Sequence, residues 1–339
     1  MKSCNELMHS LGIYQKSILV IGGAGYVGSA LVPLLLEKGY KVRVLDLMIY
    51  GETLTLHPNL EIIKGDIRDL RCVQRAMQNI DVVIHLACIS NDPSFDLDPE
   101  LGKSINYDSF EPIVLEAKSN GISRFIFASS SSVYGIKSVD NVDESQKLEP
   151  ITDYSKYKML CEEILLKYQD EGFAVCIVRP ATVCGVSPRQ RLDVIVNILT
   201  NHAYHKKQIR INGGNQLRPN VHIKDMVGFY MHLLHQPVEK IAGEIFNLGD
   251  ENHSVERIAH LVAKRFADSI EILKVDDPDN RSYHISSHKA HRVLNWKNQF
   301  KIEDAIDDLI KAFDQNILKD PMSNPLYFNI RRMKEINLK

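Results

Sequence analysis

Residues 17–28 read SILVIGGAGYVG. The first half, residues 17–22, is a short apolar run rich in β-branched side chains, the pattern of a strand buried on both faces. It runs into Gly22, Gly25 and Gly28, a GxxGxxG spacing that also takes in Tyr26 and Val27. Residues 25–38 then place Val27, Leu31, Leu34 and Leu35 at helical spacing, and Gly39 stops the helix. Glycines at such a strand-to-helix turn let backbone N–H groups approach a pyrophosphate, and the helix N-terminus adds a favourable dipole. Pro33 falls inside the helix, where a local kink is expected. Residues 41–46, KVRVLD, form the next strand and end on Asp46, at about the 20-residue distance expected of a carboxylate on the adenosine ribose. A carboxylate there repels the extra phosphate of NADP, so the expected cofactor is NAD.

The alternation continues outward. Residues 60–64 read as a strand, 70–78 as a helix, 81–86 as a strand and 99–120 as a helix; 124–129 is a strand, 154–169 a helix and 173–179 a strand. Repeated β-then-α order implies a parallel sheet with helices on both faces, an α/β, Rossmann-type doubly wound fold that binds ligands at the carboxyl ends of its strands. The pattern loosens after about Gly185: residues 189–205, the loop 213–215 and much of 250–339 do not repeat the unit. Residues 223–234 and 244–249 return to the sheet as a helix and a strand. The expected division is an N-terminal extension, 1–16; an NAD-binding domain, 17–185 plus about 221–249; and a smaller, discontinuous C-terminal substrate domain with its tail, about 186–220 plus 250–339. Phe328, Ile330 and Met333 are expected to pack the tail against the body.

Composition narrows the function. The chain of 339 residues is 44% hydrophobic and 25% charged, with a net charge of -2, so it presents no field for a polyanion and nucleic acid is not an expected partner. No run approaches the roughly 20 apolar residues of a membrane span, and the first sixteen residues lack the apolar core of a signal peptide. The six cysteines form no CxxC pair; Cys88, Cys176 and Cys184 lie in apolar runs and read as reduced core residues of a cytoplasmic protein, with no metal site expected.

Tyr154 and Lys158 stand four apart on a predicted helix, which puts both side chains on one face. A free tyrosine, with a pKa near ~10, is too weakly acidic to be a base at neutral pH. A neighbouring ammonium and a cationic nicotinamide favour the phenolate. The strand end before this helix carries four serines, residues 129–132, and a hydroxyl there is placed to hydrogen-bond a reacting oxygen.

Taken together, GGAGYVG, GDIRD (65–69), HLA (85–87), SSSSVYG (129–135), YSKYK (154–158) and RPATVCG (179–185) resemble the extended short-chain dehydrogenases that modify nucleotide-sugars, the NAD-dependent epimerase/dehydratase family. The resemblance runs over roughly residues 17–296. It implies that Tyr154 is the acid/base, that Lys158 orients the ribose and lowers the tyrosine pKa, and that Ser130 is the third catalytic residue. It places Asp66 and Ile67 beside the adenine, Leu86 and Ala87 along the cofactor, and Asn106 near the site. Ser131, Thr182, Arg189, Arg191 and Asn197 fall to the substrate. Arg218, before the VHIKD stretch, and Arg281 fall to its diphosphate. Ser131 and Ser132 stand where 4,6-dehydratases carry an Asp-Glu pair, which argues against dehydration; the cysteine of the 3,5-epimerase/reductases is also missing from this strand end. Thr182 replaces a frequent Asn.

The expected reaction is C4 epimerisation of a UDP-, GDP-, dTDP- or CDP-linked sugar through a 4-keto intermediate. Residues 187–193, with Asn197, resemble a subgroup of bacterial sugar and heptose enzymes, which keeps net C4 dehydrogenation or 4-keto-reduction as the alternative. A non-catalytic NAD-binding regulatory protein is a third reading, opposed by the intact Ser130, Tyr154 and Lys158. The resemblance also implies a homodimer paired through the helices at 99–120 and 154–169.

Overall fold

The computed structural model describes residues 16–139, 141–249, 251–275 and 282–339. Ser17–Ile21 (β1) is fully buried from Ile18 onward. Its period of two sends Ile18 and Val20 into one core layer and Leu19 and Ile21 into the other. Burying each such side chain contributes about 1.5–3 kcal/mol. β1 ends one residue earlier than the apolar run because Gly22 turns at φ +85, where a Cβ would lie 2.5 Å from the Ala87 amide nitrogen.

The remaining strands are Lys41–Asp46 (β2), Leu60–Lys64 (β3), Val82–His85 (β4), Arg124–Ala128 (β5), Ala174–Pro180 (β6), Thr182–Cys184 (β7), Gln208–Asn212 (β8), Leu217–His222 (β9), Glu244–Leu248 (β10), Glu251–Ser254 (β11) and Glu271–Val275 (β12). Seven of them form one sheet in the order β10-β6-β5-β4-β1-β2-β3, and every pair in it is parallel. The order reverses between β1 and β4, which opens a crevice at their carboxyl ends. Gly28–Glu37 and Ile223–His235 cover one face; Leu70–Met77, Phe110–Ser119 and Asp153–Lys167 cover the other. This is the parallel α/β sheet that the alternating pattern implies.

Three local differences from the sequence reading have physical causes. The helix after the glycines starts at Gly28, not at residue 25, because Gly25 to Val27 form the turn that feeds it; Pro33 lies inside the helix on its exposed side. The single helix expected over 99–120 is interrupted: Pro99–Lys103 and Phe110–Ser119 flank a π-helical turn, Ser104–Asp108. Cys176 and Cys184 are core residues, whereas Cys88 is half-buried and lines the crevice.

Beyond β6 the chain builds a three-stranded sheet, β11-β9-β7, and a parallel pair, β12-β8. Ile195–Lys206, Val255–Ala263 and Ile302–Asp314 enclose a separate buried cluster around Val196, Leu199, Ile258 and Ile306. The tail packs down, with Phe328 and Met333 buried and Ile330 half-buried. Among the described residues no helix is long and apolar enough to cross a membrane.

Candidate active site

A cavity of about 440 Å³ opens at the carboxyl ends of the parallel strands, between the glycine turn and the start of Asp153–Lys167. On one wall lie Gly22, Gly25, Tyr26, Val27 and Gly28. A Cβ on Gly28 would lie 2.4 Å from the Gly22 carbonyl oxygen, so the helix approaches the turn as closely as it does only with glycine there. No side chain caps this helix, whose N-cap residue is Val27. Ser29 N and Ala30 N donate to Gly25 O and Val27 O, at 2.8 and 3.2 Å, so the N–H groups left for an anion are those just before them, in the turn from Tyr26 to Gly28.

Asp46 closes the far end of this wall. Its two oxygens accept hydrogen bonds from Ala24 N at 2.9 Å and Met48 N at 2.8 Å. Burial raises its pKa, and those two bonds oppose the rise. Leu86 and Ala87 also line the cavity, both of their N–H groups donating to Ile21 O. Ile67 lines it too, but Asp66 does not: its carboxylate is paired with Arg68 at 2.6 Å. Asn106, in the π-helical turn, is likewise off the wall. It bonds both the N–H and the C=O of Ile89, at 2.8 and 2.9 Å, and so braces the strand-end loop.

The catalytic candidates converge on the opposite wall. Ser130 caps the short 3-10 turn Ser131–Tyr134, and Thr152 caps Asp153–Lys167, which sets Tyr154 in the first helical turn. Ser130 and Tyr154 both line this wall. Lys158 is buried, donates to Ala128 O at 2.6 Å and lies 4.7 Å from the centre of the Phe127 ring. The expected depression of the tyrosine pKa by Lys158 is not what the isolated chain displays. Burial pushes the Tyr154 phenol up, Cys88 and Asp92 add to this, and Arg191 and the nearby Ser130 hydroxyl oppose it. The low-dielectric wall outweighs the charges the protein itself supplies.

The fold brings further groups to this wall. Hydroxyls form a ladder: Ser130 Oγ to Ser132 Oγ at 2.8 Å, Ser132 to Ser155 at 2.9 Å, Ser155 to Thr152 at 2.8 Å, and Thr152 donating to Asp92 Oδ1 at 2.6 Å. Asp92 lines the cavity. The spacing of Thr152 and Ser155 across the helix start is a capping signal, and only the fold adds Asp92 to it. Behind Lys158, His85 is enclosed by Phe110, Phe125 and Phe127, with both ring nitrogens buried and without a partner. Burial, with the Lys158 charge adding to it, lowers its pKa to about 3, so the ring is neutral.

The substrate candidates divide. Ser131, Thr182, Arg189, Arg191 and Arg218 line the cavity. Asn197 does not, and its expected substrate contact is corrected: its side chain bonds Gly185 N, Gly185 O, Arg191 O and Tyr26 OH, which leaves it a bracing residue. Arg281 lies outside the described residues.

The profile of the NAD dependent epimerase/dehydratase family matches residues 18–249. The chain belongs to this family. Among its curated relatives, an uncharacterised protein y4nG of Sinorhizobium fredii is 36% identical over 66% of this chain, a match that spans 54% of that protein's length. A UDP-glucose 4-epimerase of Lactobacillus helveticus is 27% identical over 86% of this chain and 94% of its own. The solved structure of MoeE5 in complex with UDP-glucuronic acid and NAD is 26% identical, covering 88% of this chain and 99% of that one, with a TM-score of 0.78. The chain is thus an NAD-dependent enzyme of the extended short-chain dehydrogenase type, in a family that spans epimerases and dehydratases. The cavity fits the dinucleotide: an uncapped helix N-terminus for phosphate and a half-buried carboxylate at the end of β2 for ribose hydroxyls.

Proposed function

We propose that the chain epimerises a nucleotide-linked sugar at C4 through a 4-keto intermediate. The observation that carries this reading is the convergence of Ser130, Tyr154 and Lys158 on one cavity with the glycine turn, while Ser131 and Ser132 put no carboxylate directly after Ser130. NAD, when bound, supplies the hydride acceptor and donor for the sugar carbon.

Tyr154 takes the proton of the C4 hydroxyl as that carbon is oxidised and returns it on reduction. Ser130 steadies the same oxygen as a positioned hydrogen-bond partner. Lys158 spends one N–H on Ala128 O and keeps two for ribose hydroxyls. Burial disfavours the Tyr154 phenolate in the isolated chain, and the positive nicotinamide of the cofactor opposes that effect. Thr182 and Arg218, on the β7–β9 side, face the sugar and its diphosphate. The reading includes a homodimer formed through the 99–120 and 154–169 segments, where Leu115 is 47% exposed on Phe110–Ser119. A monomer in sedimentation at micromolar concentration would refute that part.

The test is incubation of the purified chain with UDP-, GDP-, dTDP- and CDP-sugars, following NADH absorbance and the sugar NMR spectrum together. A new C4 epimer without net NADH is the expected result. Stoichiometric NADH with a 4-keto product would replace the reading with net C4 dehydrogenation.

A further inference from the structure

Residues 185–191 lie across the glycine turn. Tyr26 OH donates to Gly185 O at 2.7 Å, Ser187 Oγ donates to Tyr26 O at 2.6 Å, and Arg189 N donates to Ser29 Oγ at 3.0 Å. This stitching brings two arginines over the start of Gly28–Glu37. Arg189 is 3% exposed and Arg191 8%, and both line the cavity. Arg189 lies 3.6 Å over the Tyr50 ring and donates through Nη2 to Asn329 Oδ1, yet its Nε is buried without a partner. Arg191 donates through Nε to Asp193 at 2.9 Å and through Nη1 to Ser90 Oγ at 3.1 Å, and its Nη2 is buried without a partner.

Two buried guanidiniums here face one contacting carboxylate, Asp193, whose second oxygen is taken by Asn329 N at 2.7 Å. Asp46 feels Arg189, but its oxygens are held by Ala24 and Met48. Burial with so little compensation lowers the Arg189 pKa to about 10. An unfilled N–H on a buried cation is costly, and a planar guanidinium is suited to phosphate oxygens.

We propose that Arg189 and Arg191 form the second jaw of a clamp on the dinucleotide pyrophosphate. The uncapped helix start holds the phosphates from one side, and the two guanidiniums hold them from the other. This assigns both arginines to the cofactor rather than to the sugar. Arg218, on β9, is left for the substrate diphosphate. The proposal rests on NAD as the cofactor and not on C4 epimerisation, so a binding experiment without sugar tests it even if the reaction proves to be another.

The experiment is calorimetric titration of the full chain, stripped of cofactor, with NAD, ADP-ribose, UDP, GDP and dTDP. Arg191→Met removes the fork. The pair Arg191→Met with Asp193→Asn removes it without stranding a buried carboxylate, and Arg191→Lys keeps the charge but not the fork. Both methionine forms are expected to raise the Kd for NAD and ADP-ribose about 10- to 100-fold. Lysine is expected to recover part of the loss, and the nucleoside diphosphates to stay within about twofold of the parent chain. NAD affinity within about twofold in the double variant would overturn the proposal and make the cluster a folding element. Selective loss of nucleoside diphosphate binding would overturn it too and return Arg191 to the substrate.

Discussion

Glu162→Gln tests how the catalytic helix is held. Glu162 lies two turns beyond Tyr154 and one beyond Lys158 on Asp153–Lys167. Its Oε1 accepts from Arg179 Nε at 3.0 Å and its Oε2 from Arg179 Nη2 at 2.6 Å, and the Ser129 hydroxyl also donates to Oε1. Both ends of the pair are 3% exposed. Arg179 goes on to Tyr134 OH at 2.8 Å, which donates to Asn247 Oδ1 at 2.7 Å, so one carboxylate ties the helix to β5, β6 and β10. Removing its charge strands the guanidinium in a dry site, and breaking a buried pair in this way costs about 3–5 kcal/mol. The amide keeps two polar atoms, so about 3 kcal/mol is expected, a large share of a total near 5–15 kcal/mol. Equilibrium urea unfolding of the cofactor-free chain measures it, and kcat is expected to fall because Ser129 adjoins Ser130. Replacing both partners, Glu162→Leu with Arg179→Met, is expected to recover most of the stability. A cost under about 1 kcal/mol, or a double variant as unstable as the single, would refute this reasoning.

Tyr154→Phe is expected to lower kcat by about 10²- to 10⁴-fold while leaving the Kd for NAD within a few-fold; an unchanged kcat would remove Tyr154 from the chemistry. Asp46→Ser is expected to narrow the preference for NAD over NADP by at least about tenfold, read from the two Kd values, because the carboxylate at the end of β2 no longer repels the extra phosphate. His85 has a pKa of about 3 in the fold against 6.5 when unperturbed, so its neutral form is the one that fits. Its contribution to stability is complete above about pH 6.5 and is lost as pH falls towards 3. His85→Leu should therefore flatten the acid limb of stability against pH by up to one proton, and an unaltered slope would contradict the assignment.

The strands β1 and β4 are readable in the chain because burial on both faces leaves uninterrupted apolar runs between turns. The glycine turn and the YxxxK spacing are readable because their chemistry is local. Ile195–Lys206 is harder to see: Asn197, Thr200 and Asn201 are fully buried on its inner face, each with a side-chain hydrogen bond to a backbone carbonyl, and they break the apolar period. β12 is mostly exposed and shows no alternation. The π-helical turn at Asn106 is set by the bonds to Ile89, 17 residues away, which no spacing announces. Asp92 and Asn329 reach the cavity wall only through tertiary contacts and belong to no motif that precedes the fold.

Asn329 has a consequence for how the protein is made. Its side chain joins Tyr50 OH, Arg189 and Ser90, and its contact with Tyr50 spans 279 residues. Because domains fold from the N-terminus during synthesis, a ribosome-bound chain that has not yet passed this asparagine holds the parallel sheet while Arg189 and Tyr50 still lack their common acceptor. On the arginine clamp proposed above, a chain cut short of Asn329 is expected to keep its parallel sheet but to bind NAD more weakly than the full chain.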